Sequence, residues 1–160
     1  MSYNKIMKKE NIIKYGTPVL WVGLVAILGS IFTSLGLEWL KELNKPTNWL
    51  ADYIIPFVWS IIYTSFTIYI LYLVKKDKLT SKSITLLLIN GLLNVVWCLI
   101  YFRFKNILLG LVVIIINLVL SILLSINIFK TNKKWGYYLL IYPTWLTIAT
   151  CLNLAIWILN

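Results

Sequence analysis

Residues 86–102 read LLLINGLLNVVWCLIYF, a run apolar enough for lipid that nonetheless carries two asparagines and a tryptophan. A side-chain amide has four hydrogen-bonding positions and hydrocarbon meets none of them. A spanning helix therefore tolerates Asn90 and Asn94 only where they turn away from lipid. On a helix, Asn90, Asn94, Trp97, Cys98 and Tyr101 draw one stripe, with Leu, Ile and Val on the opposite side. The stretch is thus predicted to be a transmembrane helix whose stripe faces a helix bundle. There the amides either fasten helices together, at roughly 0.6–2 kcal/mol per interhelical hydrogen bond, or line a polar interior.

The rest of the 160-residue chain has the same character, with 61% hydrophobic and 12% charged residues, against about 45–50% and about 25% in soluble domains. A bilayer core takes about 20 helical residues. Apolar runs of that order recur at 18–37, 53–74, 83–102, 107–129 and 135–159. They are about twice the length of a barrel strand and lack its alternation, so the expected fold is all-α, a bundle of five transmembrane helices. Residues 1–17 read as a basic N-terminal segment and 18–160 as a single membrane domain. Of the connectors, only 38–52 is long enough to hold extra structure.

The net charge of +10 comes from residues between the spans, with no basic stripe on a soluble module, so nucleic acid is not an expected partner. Lys5, Lys8, Lys9, Lys14, Lys75, Lys76, Lys78, Lys82, Lys130, Lys133 and Lys134 fall on one side of five spans. Only Lys41, Lys45, Arg103 and Lys105 fall on the other. The positive-inside rule then puts the N-terminus in the cytoplasm and the 38–52 loop outside. A basic start before an apolar run also has the shape of a signal peptide, with Ser34-Leu35-Gly36 as a small-x-small triplet. The run exceeds a usual h-region of about 7–15 residues, however, so an uncleaved first helix is expected. The Lys, Ile and Asn bias suits a bacterial plasma membrane.

The chain has no histidine, and its acids, Glu10, Glu38, Glu42, Asp52 and Asp77, lie outside the spans or at their ends. Ion-coupled transporters usually keep an ionisable group at membrane depth, so that class is disfavoured. Imidazole ligation of zinc or haem iron is excluded, and no Ser/His/Asp or Cys/His system can be assembled. No metal site and no required cofactor are expected. Cys98 and Cys151 both fall within spans and read as small buried residues.

Interfacial belts account for Trp21, Trp49, Trp135 and Trp157, near span ends, but not for Trp97 or Trp145, which lie deeper. With Asn117 and Asn153 in the last two spans, the interior is predicted to be neutral, aromatic and moderately polar. Pro56 stands in the first turn of its helix, where a missing N–H costs little. Pro143 falls inside the fifth span and should kink it, freeing a carbonyl near Leu139. That bend either opens a pocket or relieves packing. Ala26, Ser30 and Ser34 form a small-residue face that packs within the chain or across a homodimer.

Four segments, in order, carry a family resemblance. Trp39 followed by LNKPTNW (43–49) resembles a WYxxLxKPxW loop, and PFVWSIIY (56–63) a PxVWxxLY helix start. LNVVWCLIYF (93–102) is similar to LNxxWSxxFF, and YPTWLTIATCLNLAIWILN (142–160) to PYxxWxxFAxxLNxxIxxxN. These are the motifs of the TspO/MBR family, the tryptophan-rich sensory proteins of bacteria and the mitochondrial translocator protein. The resemblance spans roughly 18–160. It implies a five-helix bundle, often dimeric, with a pocket beneath the first extramembrane loop for porphyrins and other flat hydrophobic ligands.

By motif match, the resemblance places Trp59, Asn94, Trp97, Trp145, Ala149, Leu152 and Asn153 at that pocket, and Trp39, Lys45 and Pro46 on the loop covering it. The chain departs from the pattern where Leu40 replaces a tyrosine, where Trp49 sits one place late behind Asn48, and where Leu50-Ala51 replace a Pro-Pro pair. Pro56 and Pro143 are displaced as well. The function implied is a membrane-embedded binding protein or sensor for tetrapyrroles such as protoporphyrin IX. Alternatives are a light-dependent porphyrin-degrading enzyme, with Trp59 and Trp145 as its electron donors, and a translocator of a lipid-like ligand.

Overall fold

The structure, a computed structural model, describes residues 2–46, 50, 51 and 53–160, with side chains described from residue 14 onward. The expectations for Trp49, Asn48 and Asp52, and for the side chains of Lys5, Lys8, Lys9 and Glu10, lie outside the described residues. The described chain is helical, with no strand: α1 Ser2–Ser34, α2 Leu37–Glu42, α3 Ile54–Lys75, α4 Ser81–Cys98, a π-helical turn Leu99–Arg103, α5 Ile107–Thr131, α6 Lys133–Leu139 and α7 Ile141–Leu159. Five segments are long and apolar enough to cross a membrane: Lys14–Ser34, Ile54–Lys75, Ser81–Arg103, Ile107–Thr131 and Lys133–Leu159.

The boundaries match the predicted spans closely except at the start. There the helix passes through Pro18, and the span begins at Lys14, about a turn before the expected start at residue 18. The loop at 38–52 does hold structure, the short helix α2. Polar residues set the turns at the other end. Thr80 accepts from the Ser83 N–H at 3.2 Å, and Asn132 Oδ1 accepts from the Trp135 N–H at 3.3 Å. Each side chain meets a donor that the first helical turn leaves open.

The helices close a ring. α1 packs against α3 and α4, α4 against α5, α5 against α7, and α3 against α6 and α7, while α3 and α4 share little direct packing. Its inner wall holds fully buried Tyr69, Leu73, Ile114, Leu124, Leu146 and Ile156. Its outside is apolar and open, with Ile68, Leu92, Val119 and Ile158 each more than half exposed, as a lipid-facing surface requires. Two tethers mark the ends. Lys14 Nζ meets Asp77 Oδ1 at 2.8 Å. At the other end Asn160 Oδ1 accepts from the Asn44 N–H at 3.0 Å, and its Nδ2 donates to the Asn44 carbonyl at 3.1 Å.

Three local devices shape the interior. The π turn, closed by the Phe104 N–H on the Leu99 carbonyl at 3.0 Å, leaves adjacent Tyr101 and Phe102 both buried. Gly36, between α1 and α2, lies on that turn so closely that a Cβ would stand 2.5 Å from the Phe102 carbonyl oxygen and 2.8 Å from its Cα. The helix of the fifth span is interrupted just before Pro143. α6 stops at Leu139, Leu140 makes a tight turn through its N–H to the Tyr137 carbonyl at 3.3 Å, and Pro143 falls in the first turn of α7, where its missing N–H is tolerated.

Because Gly36 meets backbone, Gly36→Ala should lower stability by about 1–3 kcal/mol, the cost of overpacking. Gly91→Ala should cost less, since its added Cβ would meet only the side chains of Trp21 and Val25, at 3.0 Å. Thermal unfolding in detergent measures both, and a Gly36→Ala protein as stable as the parent would refute the close seat.

Candidate functional site

The stripe that opened the reading of the sequence points inward. Asn90, Asn94, Cys98 and Tyr101 are all buried and Trp97 is half-buried, while Leu88 and Leu92 on the other side are exposed. Asn117 and Asn153 are buried as well. The amides then separate into two groups. Asn94 Nδ2 donates to the Tyr142 hydroxyl at 2.9 Å, that hydroxyl donates to Asn90 Oδ1 at 3.4 Å, and Asn90 Nδ2 donates back to the Leu86 carbonyl at 2.8 Å. This chain ties α4 to α7 across the bundle. The side-chain amide atoms of both Asn117 and Asn153, in contrast, have no partner.

Two hollows occupy the interior. The one nearer the α2 end is walled by Ile55 and Trp59 of α3, Trp97 with Tyr101 and Phe102 of α4 and its π turn, Trp145, Ala149, Leu152 and Asn153 of α7, and Leu40 of α2. Among the described residues no charged side chain lines it. The structure thus brings Trp59, Trp97, Trp145, Ala149, Leu152 and Asn153 together, from helices far apart in sequence. Trp97 stacks on Tyr101 with ring centres 5.5 Å apart, and Trp59 stacks on Tyr63 at 5.4 Å. The Trp97 and Trp145 indole Nε1 atoms are buried without a hydrogen-bond partner.

Asn94, expected at the pocket, and the loop residues Trp39 and Pro46, expected to cover it, do not line this hollow. Asn94 lies about a helical turn deeper than Trp97, where it serves the Tyr142 chain and lines the second hollow. Trp39 stands outside the wall with its ring edge-on to Tyr101, centres 5.5 Å apart. Pro46 is half-buried in the loop and does not line the hollow. Among the described residues of the loop segment it is Leu40, one of the family departures, that reaches the wall.

The second hollow is walled by Asn90, Asn94 and Tyr142 together with Tyr63, Phe66 and Trp21. Trp21 was expected in an interfacial belt. It is half-buried and lines this hollow, two turns into a span that begins at Lys14 rather than at residue 18, against Gly91. Cys98 is buried as expected, but Cys151 is exposed on the outer face.

Ile55, Leu40 and Phe102 were missed in the sequence. Ile55 had a signal, standing four residues before Trp59 and so on the same helical face. Phe102 had none, because its burial follows from the π turn. Leu40 owes its place to the way Gly36 seats α2 on that turn.

A ring of five spanning helices around a neutral, indole-lined hollow defines an integral membrane protein built around an internal hydrophobic site. The model of the TspO/MBR family matches residues 18–158, and the chain belongs to that family. A tryptophan-rich protein TspO of Archaeoglobus fulgidus is 30% identical over 154 residues, covering 94% of this chain and 99% of the relative. Membership supports a membrane sensor or translocator role in general terms.

Asn94→Leu and Tyr142→Phe should each destabilise the bundle, and the double variant should cost less than the two together. The expected coupling is about 0.6–2 kcal/mol in a double-mutant cycle of detergent unfolding. Strictly additive costs would show that this hydrogen bond contributes nothing.

Proposed function

We propose that the protein binds tetrapyrroles such as protoporphyrin IX, or similarly flat hydrophobic molecules, in the hollow nearer α2. The observation that carries this reading is that Trp59, Trp97 and Trp145, from three different helices, meet around one uncharged space. Indoles offer flat stacking area at low conformational cost, and each aromatic contact adds about 0.5–1.5 kcal/mol beyond area burial. The space is about 60 Å³, far below the roughly 300–1,000 Å³ of a drug-sized ligand site. Binding therefore has to open it. The contacts of α3 with α6 and α7 are the lightest in the ring, and together with the break at Leu140 they are where it yields most easily.

Titration of the protein in detergent with protoporphyrin IX in the dark should quench tryptophan emission saturably. The Trp59→Leu/Trp145→Leu double variant should weaken binding by about tenfold or more, the effect of two lost stacking contacts. Unchanged emission, or unchanged affinity in the double variant, refutes the assignment. Repeating the titration under illumination separates binding from turnover. Loss of the porphyrin spectrum beyond a protein-free control would mark photo-oxidative degradation, a reading favoured by the stacked pairs Trp59–Tyr63 and Trp97–Tyr101, whose rings can pass an electron inward. Uptake into liposomes would mark translocation.

The lysine distribution supports a cytoplasmic N-terminus, with α2 and the hollow toward the opposite side. The Lys14–Asp77 pair places the lysine-rich turn after α3 at the same end as the start of the α1 span. A reporter that is active only in the cytoplasm should therefore work when fused to the N-terminus; activity only from the 38–52 loop would reverse the orientation.

A further inference from the structure

Lysines from two distant segments converge at the end of the bundle away from α2. The turn after α3 carries Lys75, Lys76 and Lys78, with Lys82 at the start of α4, and the junction of α5 and α6 carries Lys130, Lys133 and Lys134. All of them are exposed. Side-chain hydrogen bonds pin the two segments side by side: Asn132 Nδ2 donates to the Tyr72 hydroxyl at 3.0 Å, and Asn127 Nδ2 donates to Ser83 Oγ at 3.0 Å. Trp135 packs against Tyr69 and Tyr72 in the same place, with ring centres 5.5 and 5.7 Å apart. The one acid in either segment, Asp77, is paired with a further lysine, Lys14, at 2.8 Å. None of the seven converging lysines makes an ion pair among the described residues.

The positive-inside rule accounts for the side of the membrane on which these lysines lie, but not for their assembly into one patch. Helix stability does not account for it either. Lys82, Lys133 and Lys134 stand in the first turns of α4 and α6, where the helix dipole disfavours a cation. A bound anion offsets both that cost and the repulsion between neighbouring ammonium groups.

The patch also adjoins lipid-facing surface. Ile122, Ile126 and Lys130 follow at steps of four on α5 and are all exposed, so one face of the helix runs from apolar side chains to a cation at its end. Lys133 and Lys134 stand one turn before Tyr137 and Tyr138, which are 69% and 65% exposed. Amphipathic rings of this kind settle at headgroup level.

We infer that this end of the bundle is a binding surface for an anionic phospholipid. Lysines of both segments take up the headgroup phosphate, Tyr137 and Tyr138 flank it, and the acyl chains lie along the apolar face of α5 that leads to Lys130. Clusters of about four to eight basic residues beside a spanning helix attract acidic lipids, and pinning two segments together concentrates that attraction at one place. A soluble phosphate compound would meet the lysines alone and gain nothing from the apolar face. The surface is separate from the indole-lined hollow and does not depend on what binds there.

The full chain, delipidated in neutral detergent, is equilibrated with equal amounts of dioleoylphosphatidylglycerol and dioleoylphosphatidylcholine, and the lipids retained on it are counted by native mass spectrometry. Phosphatidylglycerol should be retained about tenfold over phosphatidylcholine. Lys130→Gln/Lys133→Gln and Lys75→Gln/Lys76→Gln, made separately, should each cut that preference by about threefold or more. Arg103→Gln/Lys105→Gln, which removes the same charge from the opposite end, should leave it unchanged, and excess glycerol 3-phosphate should not displace the lipid. Equal retention of the two lipids overturns the inference, as does a preference that survives in both lysine variants. An equal loss in the Arg103/Lys105 variant reduces the effect to net charge and overturns a localised surface. Displacement by glycerol 3-phosphate overturns the lipid as occupant.

Discussion

A side-chain amide placed in hydrocarbon must be met by protein, and much of this structure follows from that requirement. Asn90 and Asn94 meet it through Tyr142, which fixes how α4 is turned about its own axis. Trp97 and Tyr101 share the face of Asn94, so turning Asn94 toward α7 also turns the indole and the phenol inward and leaves Leu88 and Leu92 to lipid. One hydrogen-bonded chain in the middle of the bundle thus sets the wall of a hollow more than a turn away. Its worth in free energy is small, but the alternative rotation would place two carboxamides in acyl chains, a far larger cost.

The hollow also depends on three places where ideal helix geometry is given up. The π turn after Cys98 buries two successive aromatic rings, Tyr101 and Phe102. Gly110 on α5 leaves room for the first of them, since a Cβ there would stand 2.9 Å from the Tyr101 ring. Gly36 lets α2 lie on the same turn, bringing Leu40 over the hollow. The interruption at Leu140 lets α7 start afresh, so that Tyr142 and Trp145 lie within its first turns and serve opposite roles, one closing the amide chain and the other lining the hollow. Local irregularity is concentrated at the site, as in many proteins whose binding surfaces lie inside packed helices.

Hydropathy was enough to read the five spans from the sequence, because a bilayer imposes one length and one solvent on every one of them. The inward stripe on α4 was legible for the same reason: only one face could accept Asn90 and Asn94. What could not be read was height and pairing across helices. Asn94 and Trp97 are neighbours on one face, yet they serve different hollows, because Tyr142 reaches one and not the other. Trp21 was placed near a span end because the apolar run was read from residue 18, whereas the span begins at Lys14. The π turn has no residue signature of its own, so Phe102 was invisible, and with it the seat of α2. The loop followed its family motif loosely, and there Leu40 rather than Trp39 or Pro46 reaches the wall.

These two scales of information bear on what a neutral hollow can recognise. Dispersion and stacking on indoles reward any flat ring of suitable size, and they say little about its orientation. Under the proposed function, a wall rich in indole area is therefore broad in the flat shapes it accepts.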